Sequence, residues 1–339
     1  MLEKVLFSGY TSKTGKGVYQ AELDSDTGKL SAPKTLVELT GPTYIDVTND
    51  LKLISLAKKD GKGGIVTYDI SGDKAKLLDE DFSEETSPSY VKFDESRSLI
   101  FSAYFHLSKV KIDHLTKDGK IEHYSEIHFE GSGPRPEQDQ SKPHYSALTP
   151  DGKLIICDYG ADRIYIYNID DPKNPKQLNE FIAPSGYAPR HLVFNPTKPY
   201  VYIACELSSK VLVMEYNATD SNLTLVDEIE VAKDEQKNTT AAIRISKDGN
   251  FLYVSTRGAD TIATLSVSPD GDRLKKLNTV KTMGNGPRDF ELDPSGKYLV
   301  VANQDSDNVS IFTRSSNKGA LNLLEENISI PECVCVHFI

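Results

Sequence analysis

The sequence predicts an all-β chain, a seven-bladed β-propeller of four-stranded antiparallel blades. Three observations carry that prediction: a repeat that aligns without gaps, a spacing of blade length, and a last copy that stops after one strand. Self-similarity at a fixed period is the signature of repeat architectures. PRHLVFNPTKPYVYIACE (189–206), TAAIRISKDGNFLYVSTR (240–257) and PRDFELDPSGKYLVVANQ (287–304) align residue for residue, and PHYSALTPDGKLIICDYG (143–160) joins them. Weaker copies start at Pro42 (PTYIDVTNDLKLISLAKK) and Pro88 (PSYVKFDESRSLIFSAYF).

The copies begin about 44 to 55 residues apart, the length of a propeller blade. Within each, P-D-G, K-D-G or P-S-G marks a turn between two β-rich runs, and another such run follows: RIYIYNI, KVLVMEY, TIATLSV, NVSIFTR. No stretch carries helical periodicity over a useful length, which excludes a helical solenoid. The final copy, PECVCVHFI from Pro331, supplies one strand, and KVLFSGYTSKTGKGVYQAEL near the start supplies the rest of a blade. Joining them brings the count to seven and leaves no unpaired edge around the ring. Residues 1–339 are read as one propeller domain with no linker.

Composition narrows the function classes. The chain is 38% hydrophobic and 26% charged, with a formal net charge of −11 and no Lys/Arg block. Nucleic-acid binding depends on basic clusters that displace counterions from phosphates, so no nucleic-acid partner is expected. Val5-Leu6-Phe7 is too short for a signal-peptide core, and no segment approaches a membrane span. Cys157, Cys205, Cys333 and Cys335 make no C-x-x-C pair and no zinc spacing, which fits a reduced cytoplasmic setting. Cys333 and Cys335 alternate with valines and are expected on one face of a strand. Asp151-Gly152 and Asp248-Gly249 read as turns with no calcium ligand series. The expectation is a monomer or weak homodimer without metal, cofactor or membrane contact.

Equivalent positions of a repeat occupy equivalent places around a ring. The second residue of each copy is Thr43, Ser89, His144, Arg190, Ala241, Arg288 and Glu332, and it opens the innermost strand. The last residue of each complete copy is Lys59, Phe105, Gly160, Glu206, Arg257 or Gln304. In an antiparallel hairpin the start of one strand lies beside the end of the other, so both series should face one rim of the channel. The charged members fall in consecutive copies: His144, Arg190 with Glu206, Arg257, Arg288. Arginine stays protonated and offers a planar set of donors to an anion, while Glu206 and His144 are both candidates for a general base. His191, next to Arg190, should face the other side of its strand; it is carried as a substrate-binding candidate, although packing between blades is the simpler role. Arg244 sits mid-strand and reads as structural, and His106, His114, His123 and His128 read as surface residues.

These residues stand in longer stretches: GSGP (131–134), KPH (142–144), DYGAD (158–162), PRHLVFNP (189–196), CELSSKV (205–211), IRISKDGNFLYVSTRGAD (243–260) and PRDFELDPSGKYLVVANQDSDNV (287–309). Together they resemble the seven-bladed lactonase propellers, the group of the bacterial propeller-type 6-phosphogluconolactonase and a fungal carboxymuconate lactonizing enzyme. The resemblance spans the chain and is strongest from about residue 131. It implies a lactone hydrolase acting on a small anionic sugar lactone, 6-phosphogluconolactone first, in the oxidative pentose phosphate pathway. It also implies His144, Arg190, Glu206 and Arg257 as catalytic residues, with Arg288 and Gln304 joining them at the rim as substrate-binding candidates. The chain departs from the family at Asp139-Gln140, where Arg-Gln is common, and at His144-Tyr145-Ser146, where His-x-His is common. Two alternatives stay open: a lactonizing cycloisomerase or lactonase for an unphosphorylated lactone, and a non-catalytic platform for protein partners. The gathering of ionic groups at one mouth favours catalysis.

Overall fold

A computed structural model gives the fold, and it describes every residue except Asp234 and Gln236. Seven antiparallel sheets of four strands each are arranged around a ring. Blade 1 combines the inner strand Cys333–Phe338 with Leu2–Gly9, Gly17–Asp24 and Lys34–Glu38. Blades 2 to 7 follow along the chain, with inner strands Ile45–Val47, Tyr90–Asp94, Pro143–Leu148, Pro189–Phe194, Thr239–Ile245 and Pro287–Leu292. Each inner strand begins within three residues of a copy start read from the sequence. The described residues include no α-helix, only a 3-10 turn at Pro136–Gln138.

The burial pattern explains why the repeat is so apolar. Second strands such as Leu99–Tyr104 and Tyr298–Asn303 are buried along their whole length, because each sheet is covered on both faces by neighbouring blades. The core is therefore a set of layers between blades: Ile203, Cys205 and Leu212 of blade 5 pack with Ile155, Cys157 and Ile164 of blade 4. Outer strands such as Leu321–Ser329 meet water and are mostly polar.

Ring closure places the last strand inside the first: Val5 pairs with Phe338 and Phe7 with Val336. The register shifts between Ser8 and Gly9, and a Cβ at Gly9 would lie 2.1 Å from the Glu332 carbonyl oxygen, so only glycine fits the approach. This shift corrects one expectation. Cys333 packs toward blade 7 with Val300 and Val309, whereas Cys335 packs toward blade 2 with Ile54 and Leu56, so the two thiols face opposite sides. All four cysteines are buried and unpaired.

The gapless alignment also needs a correction. In blades 5, 6 and 7 the inner hairpin pairs Phe194 with Val201, Ile245 with Leu252 and Leu292 with Leu299. In blades 2 and 4 it pairs Val47 with Leu53 and Leu148 with Leu154, a turn one residue shorter. Every later position of those second strands is displaced by one, and in a strand that moves a side chain to the other face. The structural equivalents of Glu206 are thus Lys58 and Tyr159, not Lys59 and Gly160. Gly160 is required by packing instead, since a Cβ there would lie 1.9 Å from the Gln140 carbonyl oxygen.

Candidate active site

Inner strands in blades 4, 5 and 7 begin with a β-bulge: the register shifts between Pro143 and Tyr145, Pro189 and His191, and Pro287 and Asp289. The residue left over in each is His144, Arg190 or Arg288. Bulges re-aim side chains, and here they turn these three away from the ordinary alternation. The loops before the inner strands of blades 5 and 7 are each fixed by an aspartate at the start of the preceding third strand. Asp162 accepts the N–H groups of Gly186 and Ala188, both at 2.7 Å, and Asp260 accepts that of Gly286 at 2.9 Å. The aspartates of the two G-A-D segments therefore hold the frame of the site, a role the sequence reading did not give them.

One mouth of the ring opens into a cavity of about 270 Å³ whose lining includes His144, Glu206, Arg257 and Arg288. Glu206 Oε1 lies 2.8 Å from Arg257 Nη2, and its Oε2 lies 2.9 Å from Arg190 Nε. These are ion pairs by distance, but neither N–H is well directed at its oxygen: the same nitrogens make no aligned hydrogen bond. Glu206 is anchored from behind, its N–H on the Ala188 carbonyl at 2.8 Å. Burial pushes the Glu206 carboxyl up, yet Arg257, Arg190 and Arg288 outweigh it and hold it below its ordinary value, so it is ionised at neutral pH.

Arg190 is fully buried and is absent from the cavity wall. Its Nη1 donates to the Ala241 carbonyl at 2.8 Å. Burial, opposed in part by Tyr44, pushes it down to about 10, and it remains a cation. Arg190, one of the residues read as catalytic, thus lies beneath Glu206 and outside the cavity lining. His144 is 4% exposed with Nδ1 buried and unpartnered, and burial followed by Arg190, Arg288 and Arg257 holds its imidazole well below the usual range. Its neutral ring can accept a proton, but three guanidinium groups oppose the imidazolium that would result.

Arg288 faces the cavity over the Tyr10 ring, with Nη1 at 3.4 Å from Gln304 Oε1. Gln304 stands behind Arg288, outside the lining. His191 lies outside the cavity lining and packs between blades at the centre of the ring. It is 1% exposed and packs against the rings of Tyr44, Tyr90, Tyr145 and His144 at 4.7–5.9 Å. Tyr44, Tyr90, Tyr145 and His191 are the third residues of four copies, and together they plug the channel below the site. The plug explains why His191 stays neutral: burial first, then Arg190, His144 and Arg244, hold it well below the usual histidine range.

Several lining residues escaped the sequence reading, among them Tyr10, Thr86 and Ser87 from loops outside the aligned positions. Lys58 and Tyr159 were hidden by the shorter turns, and His106, exposed as expected, stands at the cavity rim rather than on a remote surface. Glu332 and Lys59 fall outside the set: the Glu332 carboxylate accepts the N–H of Lys13 at 2.8 Å and the hydroxyl of Ser12 at 2.8 Å, and Lys59 pairs with Glu80 at 2.5 Å. Arg244 lies toward the far end of the inner strands, paired with Asp289 at 2.8 Å and Glu291 at 2.9 Å. Among the described residues no cluster of His, Cys, Asp or Glu could hold a metal ion, and no helix is long and apolar enough to cross a membrane.

A carboxylate set between guanidinium groups at the mouth of a seven-bladed ring defines a class. The chain belongs to the family described as lactonase, 7-bladed beta-propeller, whose model matches residues 4–338. Among individual relatives, it is 33% identical over 337 residues to the 6-phosphogluconolactonase of Bacillus subtilis, covering 97% of this chain and 96% of that protein. A Lactococcus lactis protein is 37% identical over 338 residues, with 99% of both chains covered. A crystal structure of a Lactobacillus plantarum protein superposes with a TM-score of 0.97 at 37% identity, covering the whole of both chains.

Proposed function

We propose that this protein hydrolyses 6-phospho-glucono-1,5-lactone to 6-phosphogluconate, in the cytoplasm, at the cavity that holds Glu206. Membership of the lactonase family supports the reaction class, and the likeness to the Bacillus subtilis enzyme supports the substrate. The observation that carries the reading is that Glu206 is, among the described residues, the one carboxylate lining a cavity walled mainly by cations, hydroxyls and rings. In this reading water adds to the lactone carbonyl carbon while Glu206 takes its proton. The carbonyl oxygen gains negative charge, and the unaligned N–H groups of Arg257, with Arg288 alongside, donate to it. The carbon–ring-oxygen bond then breaks, the ring oxygen receives the proton from Glu206 and becomes a hydroxyl, and the new carboxylic acid ionises into water.

Arg190 keeps Glu206 ionised and in place from below the floor. Neutral His144 completes the wall without adding a further cation next to Arg257. The test is a hydrolysis assay on 6-phosphogluconolactone and gluconolactone, corrected for the spontaneous reaction. The wild-type protein should accelerate at least the phosphorylated lactone, and Arg257→Ala should lower kcat/KM about 10²- to 10³-fold, as the loss of one oxyanion donor does. A wild-type protein that accelerates neither lactone overturns the proposal.

A further inference from the structure

The sugar lactone proposed above carries its phosphate on the arm at C5, the carbon that shares the ring oxygen with the reacting carbonyl, so carbonyl and phosphate are separate groups that different walls of one small cavity can hold. Glu206 and Arg257 belong to blades 5 and 6. In a ring of seven, blade 2 is three steps from each, as far across the mouth as the ring allows. The cavity residue that blade 2 places there is Lys58.

Lys58 differs from the other lysines of this rim. Lys59 pairs with Glu80, and Lys142 pairs with Asp139 and donates to the Glu137 carbonyl at 2.6 Å. Among the described residues Lys58 has no carboxylate within ion-pair distance and no side-chain hydrogen bond. Its exposed chain runs beside Gly41 along the cavity wall. The hydroxyls of Thr43, Thr86 and Ser87 line the same arc, and none makes a hydrogen bond with a described residue. His106 joins them, close enough for Lys58 to act on its charge. An ammonium with three rotatable donors and a set of unengaged hydroxyls suits a phosphate dianion, which takes several donors from different directions. In a chain of net charge −11, an unpaired ammonium on the cavity wall is a local positive charge open to an anionic group.

We propose that Lys58, with the hydroxyls of Thr43, Thr86 and Ser87, binds the phosphate of the substrate and makes the site prefer a phosphorylated lactone to an unphosphorylated one. The inference rests on the lactonase reading of the same cavity, and it supplies at Lys58 a cation in place of the basic residue the family often carries at Asp139. Its test uses the stable products, so that it does not depend on turnover. Calorimetry compares 6-phosphogluconate with gluconate on wild type, Lys58→Met and Lys58→Arg, with melting curves confirming that each exposed substitution leaves the fold intact. Wild type should bind the phosphorylated acid more tightly, Lys58→Met should lose about tenfold or more of that preference, and Lys58→Arg should keep most of it.

Preference unchanged in Lys58→Met, or no preference in wild type, overturns the inference; the lactonase reading then stands or falls on the hydrolysis assay. A Lys58-dependent preference in a protein that hydrolyses neither lactone sinks the lactonase reading and upholds the phosphate site.

Discussion

Glu206→Gln is the most informative single change, because it removes a charge on which a fully buried cation depends. Arg190 has 0% side-chain exposure, and Glu206, 14% exposed, is its counter-ion at 2.9 Å. Removing one partner of a buried pair strands the other, at a cost of about 3–5 kcal/mol. Globular proteins unfold with an entropy near 2.1 cal/mol/K per residue, so a chain of 339 residues carries about 0.7 kcal/mol/K. Each kcal/mol therefore moves the melting temperature by about 1.4 °C, and Glu206→Gln should melt about 4 to 7 °C below wild type. Adding Arg190→Met removes the stranded charge, so the double variant should melt above Glu206→Gln alone. Lactone hydrolysis should fall about 10²- to 10⁴-fold in the single variant, the range for losing a general base. Differential scanning calorimetry and the hydrolysis assay read the two effects separately. A Glu206→Gln protein melting within a degree of wild type, or a double variant melting lower than the single, would refute the view that Arg190 depends on Glu206.

Two further outcomes follow from the same geometry. His144 and His191 are held neutral in the fold, well below the ordinary 6.5, so below that pH the unfolded chain binds more protons and stability must fall as the solution is acidified. Glu206, held below 4.5, contributes stability that is present above that value and fades only at lower pH. The melting temperature should thus decline from about pH 7 toward pH 5, and His191→Phe should flatten the decline; an unchanged slope would show that the plug histidine is not the cause. Arg244→Met should destabilise by about 3 kcal/mol, because Asp289 is 1% exposed and Arg244 neutralises it, while kcat/KM stays at the wild-type value. Lost activity in a folded Arg244→Met protein would mean that the far end of the channel takes part in turnover.

The division between what was legible and what was not follows the hydrogen-bond register. Blade count, the shared terminal blade and the arc from His144 to Arg288 could be read from the sequence, because symmetry-related residues inherit symmetry-related places as long as the copies keep one register. Glu206 and Arg257 come from blades 5 and 6, whose hairpins share the six-residue turn, and the structure brings them to one wall. Lys58 and Tyr159 were invisible because turns shorter by a single residue in blades 2 and 4 displace the second strand, which no count along the chain reveals. Nor could the sequence show that a bulge frees Arg190 from the alternation and sinks it under Glu206, or that His191 joins three tyrosines from other blades. Those placements arise where seven strands converge on one axis, and their packing is decided by neighbours tens to hundreds of residues away. Local pattern dictated which side chains approach the channel; the closed ring decided which face the cavity, which lie beneath it, and which rim lysine, among the described residues, is left without a partner.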